Sequence, residues 1–159
     1  MKFNKAIKNL FIVLFSTLLI SACSTAKKAN VDTANDVYTG TDTVEFLAKG
    51  VPDRIFFATN ASKLTTASRD TLRKQATWMR KNKDVTVTVE GHADERGTRE
   101  YNLALGERRA NAAKDYLMTY GVSGKRISVI SYGKERPVNP ASSPLAWSQN
   151  RRSVTVKAN

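Results

Sequence analysis

The sequence predicts an α/β domain, a two-layer sandwich in which two main helices pack on a mixed sheet of about four strands. Three observations lead there. Short β-branched or apolar runs alternate with longer stretches of helical periodicity. Val85-Thr86-Val87-Thr88-Val89 is β-branched throughout, valine on one face and threonine on the other, so one side packs on helices. Gly91, Gly97, Gly121, Pro137, Pro140 and Pro144 fall between these runs, where elements must stop or turn.

Residues 1–22 read as a targeting leader and stand outside the fold. Lys2, Lys5 and Lys8 make a positive start, and Leu10 to Ile20 is an apolar run broken only by Ser16 and Thr17. A membrane-spanning helix needs about 20 apolar residues, and this run is shorter. It ends in Ile20-Ser21-Ala22-Cys23, which resembles the bacterial lipobox: an aliphatic residue, two small ones, then cysteine. That resemblance implies cleavage before Cys23 and acylation of it. Two or more chains anchor stably, at about 0.8 kcal/mol per buried methylene. Ser24 rather than Asp follows the cysteine, the pattern that sorts a lipoprotein to the outer membrane.

Residues 23–50 are rich in Ala, Thr, Asn, Asp and Lys and are expected to be a flexible tether, with one helical turn possible at Val44–Leu47. The folded domain is expected over residues 51–159. Arg54–Ala58 reads as its first strand and Thr59–Ser62 as a turn. A helix follows from an N-cap at Thr65 or Thr66 to near Asn82, with Leu72, Ala76 and Met79 on one face. Arg69, Arg73, Lys74, Arg80 and Lys81 form its solvated side. After the valine strand comes a turn, then a long helix to about Tyr120, stopped by Gly121. Ile127–Ser131 is a strand, the prolines mark a loop, Leu145–Asn150 is a short helix and Ser153–Lys157 a last strand. No internal repeat is visible.

The 26 Lys and Arg exceed the 14 Asp and Glu, giving +12. Removing the leader takes three lysines and leaves +9. From Val51 on there are 20 basic and 10 acidic residues, so the domain favours anionic surroundings. With one cysteine and one histidine, an intrachain disulfide is impossible and a structural zinc site is not supported. A leader also excludes the cytoplasm and most nucleic-acid roles.

The chemistry concentrates in Glu90-Gly91-His92-Ala93-Asp94-Glu95-Arg96-Gly97-Thr98 and the helix after it. With Leu105 at zero on a helical wheel, Ala112, Tyr116, Tyr120 and Ala113 span an apolar arc, and Arg109 falls inside it at about 40° with Asn102 at about 60°. A charge aimed at the core needs a partner. Asp94 is the obvious one. Two readings stand open: an internal Asp94–Arg109 salt bridge, or a pocket in which each holds one part of a zwitterionic ligand. His92, Asp94 and Glu95 also raise acid/base catalysis, such as a two-carboxylate hydrolase. Against it, neighbouring turn residues point apart and no nucleophile–base–orienter set is present. Gly91 and Gly97 read as turn glycines.

These residues resemble the OmpA-like peptidoglycan-binding family over roughly Arg54 to Val156. The matching motifs are Gly91-His92-Ala93-Asp94-Glu95-Arg96-Gly97-Thr98, Tyr101-Asn102, Leu105-Gly106-Glu107-Arg108-Arg109-Ala110-Asn111-Ala112, Ser131-Tyr132-Gly133-Lys134-Glu135-Arg136-Pro137 and Asn150-Arg151-Arg152. The resemblance implies the OmpA-C-like sandwich and non-covalent binding of peptidoglycan at the meso-diaminopimelate of its stem peptide, whose free end carries an ammonium and a carboxylate on one carbon. Asp94 would receive the ammonium and Arg109 would fork onto the carboxylate. Asn102 and Asn60 fall on family contact positions. One arginine of Arg151 and Arg152 should support the pocket. If Val154 and Val156 face the helices, period-two alternation favours Arg152. The resemblance further implies a non-enzymatic link between outer membrane and wall, TolB and other Tol components as partners, a part in division, and no metal or cofactor. One departure stands out: the family commonly has an acidic residue directly after the first strand's Phe, where this chain has Ala58.

Overall fold

The computed structural model describes residues 31–32 and 36–158. The leader and Cys23 lie outside the described residues. Among the described residues no helix is long and apolar enough to cross a membrane.

In chain order the strands are β1 (Val31–Asp32), β2 (Val37–Tyr38), β3 (Phe46–Ala48), β4 (Val51–Pro52), β5 (Arg54–Phe56), β6 (Thr86–His92), β7 (Ile127–Gly133) and β8 (Arg152–Ala158). The helices are α1 (Thr66–Lys81), α2 (Arg99–Thr119) and α3 (Pro144–Asn150). The main sheet has four strands in the order β5-β8-β6-β7. β8 is antiparallel to both its neighbours, and β6 pairs with β7 in parallel. The expected mixed sheet with two main helices is therefore the fold. Because β5 and β6 both oppose β8, their carboxyl ends and the start of β8 share one edge. The ends of β7 and α3 and the start of α2 meet there too, and that edge is where the chemistry collects.

Capping sets where the helices start. Thr65 Oγ1 accepts from Ser68 N at 3.1 Å and Thr98 Oγ1 from Tyr101 N at 3.2 Å, each cap worth about 1 kcal/mol. Leu72, Ala76 and Met79 of α1 meet Val87 and Val89 of β6, Ile55 and Phe57, and Ala110, Ala113 and Leu117 of α2 in one core. The valine face of β6 thus packs on the helices, as its alternation requires. The buried arc of α2 is rotated from the expected one. Leu117, Ala110 and Gly106 are inside, while Tyr120 is 37% exposed. The aromatic rings at 116 and 120 stack on each other at the margin, 5.0 Å between centroids. Arg109 and Asn102 stay within the arc.

Two expectations fail here. The stretch from 36 to 50 is not a free tether: Val37, Tyr38 and Leu47 are buried, and the Tyr38 ring meets Phe56 edge-on at 4.7 Å. Val44–Leu47 forms no helical turn; Phe46–Ala48 pairs with Val51–Pro52 as a hairpin. Polar composition hid a strap that buries few but large apolar groups.

β8 is also phased oppositely to expectation. Ile55, in the helix-side core, pairs with Ser153, and Thr155 Oγ1 donates to Gln75 Oε1 of α1 at 2.9 Å. Ser153 and Thr155 therefore face the helices. Val154 and Val156 line the other face of the sheet. Polar residues on the helix side are tolerated because each hydroxyl has an acceptor; Ser153 Oγ donates to Glu90 O at 2.9 Å.

Candidate functional site

Asp94 follows β6 by two residues and is 7% exposed. The turn holding it is tied down at both ends. Ala93 N donates to Gly133 O at 2.8 Å, and Asn102 Nδ2, on α2, donates to Arg96 O at 2.8 Å. Lys134 Nζ reaches Gly97 O at 2.8 Å and Glu95 O at 3.2 Å. Gly97 has φ +89°, the left-handed backbone that glycine takes without strain.

The Asp94 carboxylate accepts from Arg96 three times: backbone N at 3.1 Å, Nε at 3.0 Å and Nη2 at 2.7 Å. Arg151 Nη1 adds a contact of 3.2 Å to Oδ2. Burial pushes this carboxyl's pKa up, but the Arg96 hydrogen bonds, then Arg151, outweigh it and hold the pKa below the usual carboxylate range.

Arg109 is wholly buried, and it forms no ion pair with Asp94 among the described residues. Its guanidinium donates to three backbone carbonyls instead: Nε to Ala61 O at 2.8 Å, Nη1 to His92 O at 2.8 Å and Nη2 to Ala58 O at 3.0 Å. It lies 5.2 Å from the Phe57 ring centre. The internal salt bridge is thereby corrected. Arg109 pins the loop after β5 to the end of β6, and Asp94 finds other cations. Burial, then the nearby Arg151 charge, lowers the Arg109 pKa to about 9, so it stays charged at neutral pH. These three bonds leave one N–H on each terminal nitrogen without an acceptor among the described residues.

Asn60 lies between the two pinned carbonyls, exposed, with φ +52°. Asparagine is among the few residues at home there. Asn102 is 2% exposed and works as the clamp on the turn.

Arg152 is not at this site. It lines a cavity of about 370 Å³ on the opposite face, with Arg54, Glu90, His92 and Arg136. The supporting arginine is Arg151, 1% exposed, which also donates Nε to Phe57 O at 3.1 Å. Alternation could not find it, because Arg151 caps α3 and precedes the strand. Sequence reasoning also missed Arg96 as the main holder of Asp94, although an arginine two residues past an aspartate in a turn is a recognisable signal. Asp36, beside Arg151, carried no signal at all.

The catalytic alternative loses its parts. Glu95 accepts from Trp147 Nε1 at 2.7 Å and Ser142 Oγ at 3.0 Å, with Arg96 stacked 4.3 Å over the Trp147 ring. His92 points to the other face of the sheet, 1% exposed, its ring 5.6 Å from that of Tyr132. Neither of its ring nitrogens has a hydrogen bond among the described residues.

Burial first, then Arg152, Arg136 and Arg54, push the His92 pKa down to about 3, although Glu90 Oε2 stands 3.4 Å away. The unfolded chain takes up this proton near pH 6.5 and the folded one only near 3. Stability therefore falls as pH drops between those values, by about 1.4 kcal/mol per pH unit for one such proton. Urea unfolding at pH 6 and 4.5 should show about 2 kcal/mol of loss, and His92→Asn should remove most of that slope. Equal slopes in the two proteins would contradict it.

The OmpA family model matches residues 56–151, and the chain belongs to the OmpA family. Two relatives are each named peptidoglycan-associated lipoprotein. The one from Brucella melitensis is 45% identical over 150 residues, 91% of this chain and 89% of the relative. The one from Rhizobium meliloti is 46% identical over 149 residues, 91% and 85%. Among solved structures, the peptidoglycan-associated lipoprotein from Burkholderia pseudomallei superposes with a TM-score of 0.65 at 32% identity, covering 66% of this chain and 89% of that one.

Proposed function

We propose that this chain is an outer-membrane lipoprotein that holds peptidoglycan non-covalently at the meso-diaminopimelate of the stem peptide. The observation that carries the reading is the arginine-braced carboxylate of Asp94 beside Arg109, in a chain whose relatives at 45% identity bear the name peptidoglycan-associated lipoprotein. Residues 1–22 act as the leader, and Cys23 carries the lipid that ties the domain to the membrane. The ligand's ammonium goes to Asp94 and its carboxylate to the two free N–H groups of Arg109. Asn60 contributes at the rim, and Asn102 acts by holding the turn. The protein binds and does not cleave, consistent with Glu95 tied to Trp147 and His92 turned away. Its place is the periplasmic side of the outer membrane. There it links membrane to wall as part of the Tol-Pal system, with TolB and other Tol components as partners in envelope integrity and division.

The test is co-sedimentation with sacculi. Wild type should bind diaminopimelate sacculi at least tenfold better than sacculi with lysine stems. Asp94→Asn should retain less than about a tenth of that binding at a temperature below both melting points, a loss of about 1.4 kcal/mol or more. Equal binding to both wall types by wild type, or full binding by the variant, would sink the reading. Release of soluble wall fragments would sink its non-catalytic part.

A further inference from the structure

Asp36 comes from the segment before the domain, yet it reaches the site. Its Oδ2 lies 2.9 Å from Arg151 Nη2, its backbone carbonyl accepts from the same nitrogen, and Thr59 Oγ1 donates to Oδ2. Its φ of +53° is a left-handed conformation that aspartate tolerates better than most residues. Val37 and Tyr38, 7% and 3% exposed, bolt the strap down beside it. One guanidinium therefore joins two carboxylates, the Asp94 side chain at 9% exposure and the Asp36 side chain at 47%.

The charges around that guanidinium are unequal. Arg96, Arg109 and Arg151 surround Asp94, which already accepts four hydrogen bonds from arginines, while the turn's other acid, Glu95, is turned outward to Trp147 and Ser142. A cationic ligand group would meet little net negative charge there. Asp36 supplies the missing charge on the open side, and among the described residues its Oδ1 takes no hydrogen bond.

We infer that Asp36 is a second carboxylate of the ligand site, receiving the ligand's ammonium together with Asp94 and raising selectivity for a free amine. This rests on the reading of the site as one for a zwitterionic stem-peptide end. The opposite role, a carboxylate standing in for the ligand's own, fits less well. Displacing Asp36 from Arg151 would also break the bond from Arg151 to the Asp36 backbone carbonyl and unseat a strap anchored by buried rings, contacts that a ligand carboxylate would not replace.

The experiment uses the full chain in detergent, diaminopimelate sacculi, and a soluble stem peptide with its diaminopimelate amine either free or acetylated. Asp36→Asn, which keeps an oxygen for Thr59 and Arg151, should weaken binding of sacculi and free-amine peptide about tenfold. It should leave the weak binding of acetylated peptide unchanged, and Asp36→Glu should recover part of the loss. Asp36→Ser serves as a second charge-removing variant should the first melt below the assay temperature. Unchanged or tighter binding by a folded charge-removing variant would overturn the inference, as would an equal loss for both peptides. Failure of wild type to bind either sacculi or peptide would instead overturn the reading on which it rests.

Discussion

Replacing Gly91 with alanine is expected to cost about 3 kcal/mol or more, lowering the urea midpoint steeply and taking wall binding with it. A Cβ at Gly91 would stand 1.8 Å from Gly106 O and 2.5 Å from Gly106 C, both backbone atoms of α2. The reverse substitution, at Gly106, would put its Cβ 2.8 Å from Gly91 O and 2.3 Å from Ser131 Oγ. Strand and helix touch here through backbone alone, and no side chain can rotate to relieve the first clash. Relief requires α2 to lift off β6. Arg109 sits one turn beyond Gly106 and reaches His92 O, the residue after Gly91. Any lift at the glycine pair pulls the guanidinium from its carbonyls, so stability and binding should fall together. Gly50, with nothing near its Cβ position, is the control for the steric part of the argument, though its own φ of +74° carries a separate penalty. A Gly91→Ala protein with a near wild-type midpoint would refute the contact.

That contact also marks where sequence reasoning stopped. Gly91 reads as a turn glycine because Gly97 follows closely, yet only Gly97 has positive φ, and β6 continues through Gly91 to His92. Period-two alternation is legible where every residue is β-branched, as in Val85–Val89. It is ambiguous where valines share a strand with Ser153 and Thr155, since those hydroxyls find acceptors inside. The order of helices and strands was legible because each carries its own period. The pairing order of β8 between β5 and β6 was not, because it depends on contacts far apart in the chain.

The site divides the same way. The wheel could place Arg109 inside, since an arginine on an apolar arc breaks a local rule. It could not name the partners, because backbone carbonyls have no signature in sequence. Proximity in sequence made Asp94 the natural partner. In the fold Asp94 is held by Arg96 from its own turn and by Arg151 from the far end of the chain. Position 58 is alanine, the one departure visible in the sequence, and Asp36 brings a carboxylate to the adjacent Thr59 from a segment that gave no sign of doing so.

Arg109→Ala is expected to destabilise the domain by about 4 kcal/mol, because it strips the donor from three carbonyls and leaves a cavity the size of the side chain. The carbonyls of Ala58, Ala61 and His92 belong to two separate segments, and a single planar group satisfies all three. Lysine keeps the charge, but its ammonium is a single point on a stem and cannot span a fork. Arg109→Lys should therefore lose about half as much stability, since it can satisfy one or two of the acceptors. Arg109→Met keeps much of the volume over Phe57 and removes the buried ion, yet it leaves all three acceptors bare, so it should fall close to alanine. Thermal melts and urea unfolding of the three variants test this order. If methionine matched wild type, the hydrogen bonds would carry little, and burial of the stem over Phe57 would be the main contribution. The binding readout then separates the two roles of the residue. A pure brace predicts that binding tracks stability across the series. A brace that also offers two N–H groups to a carboxylate predicts that Arg109→Lys, still folded at the assay temperature, loses diaminopimelate binding well beyond its loss of stability.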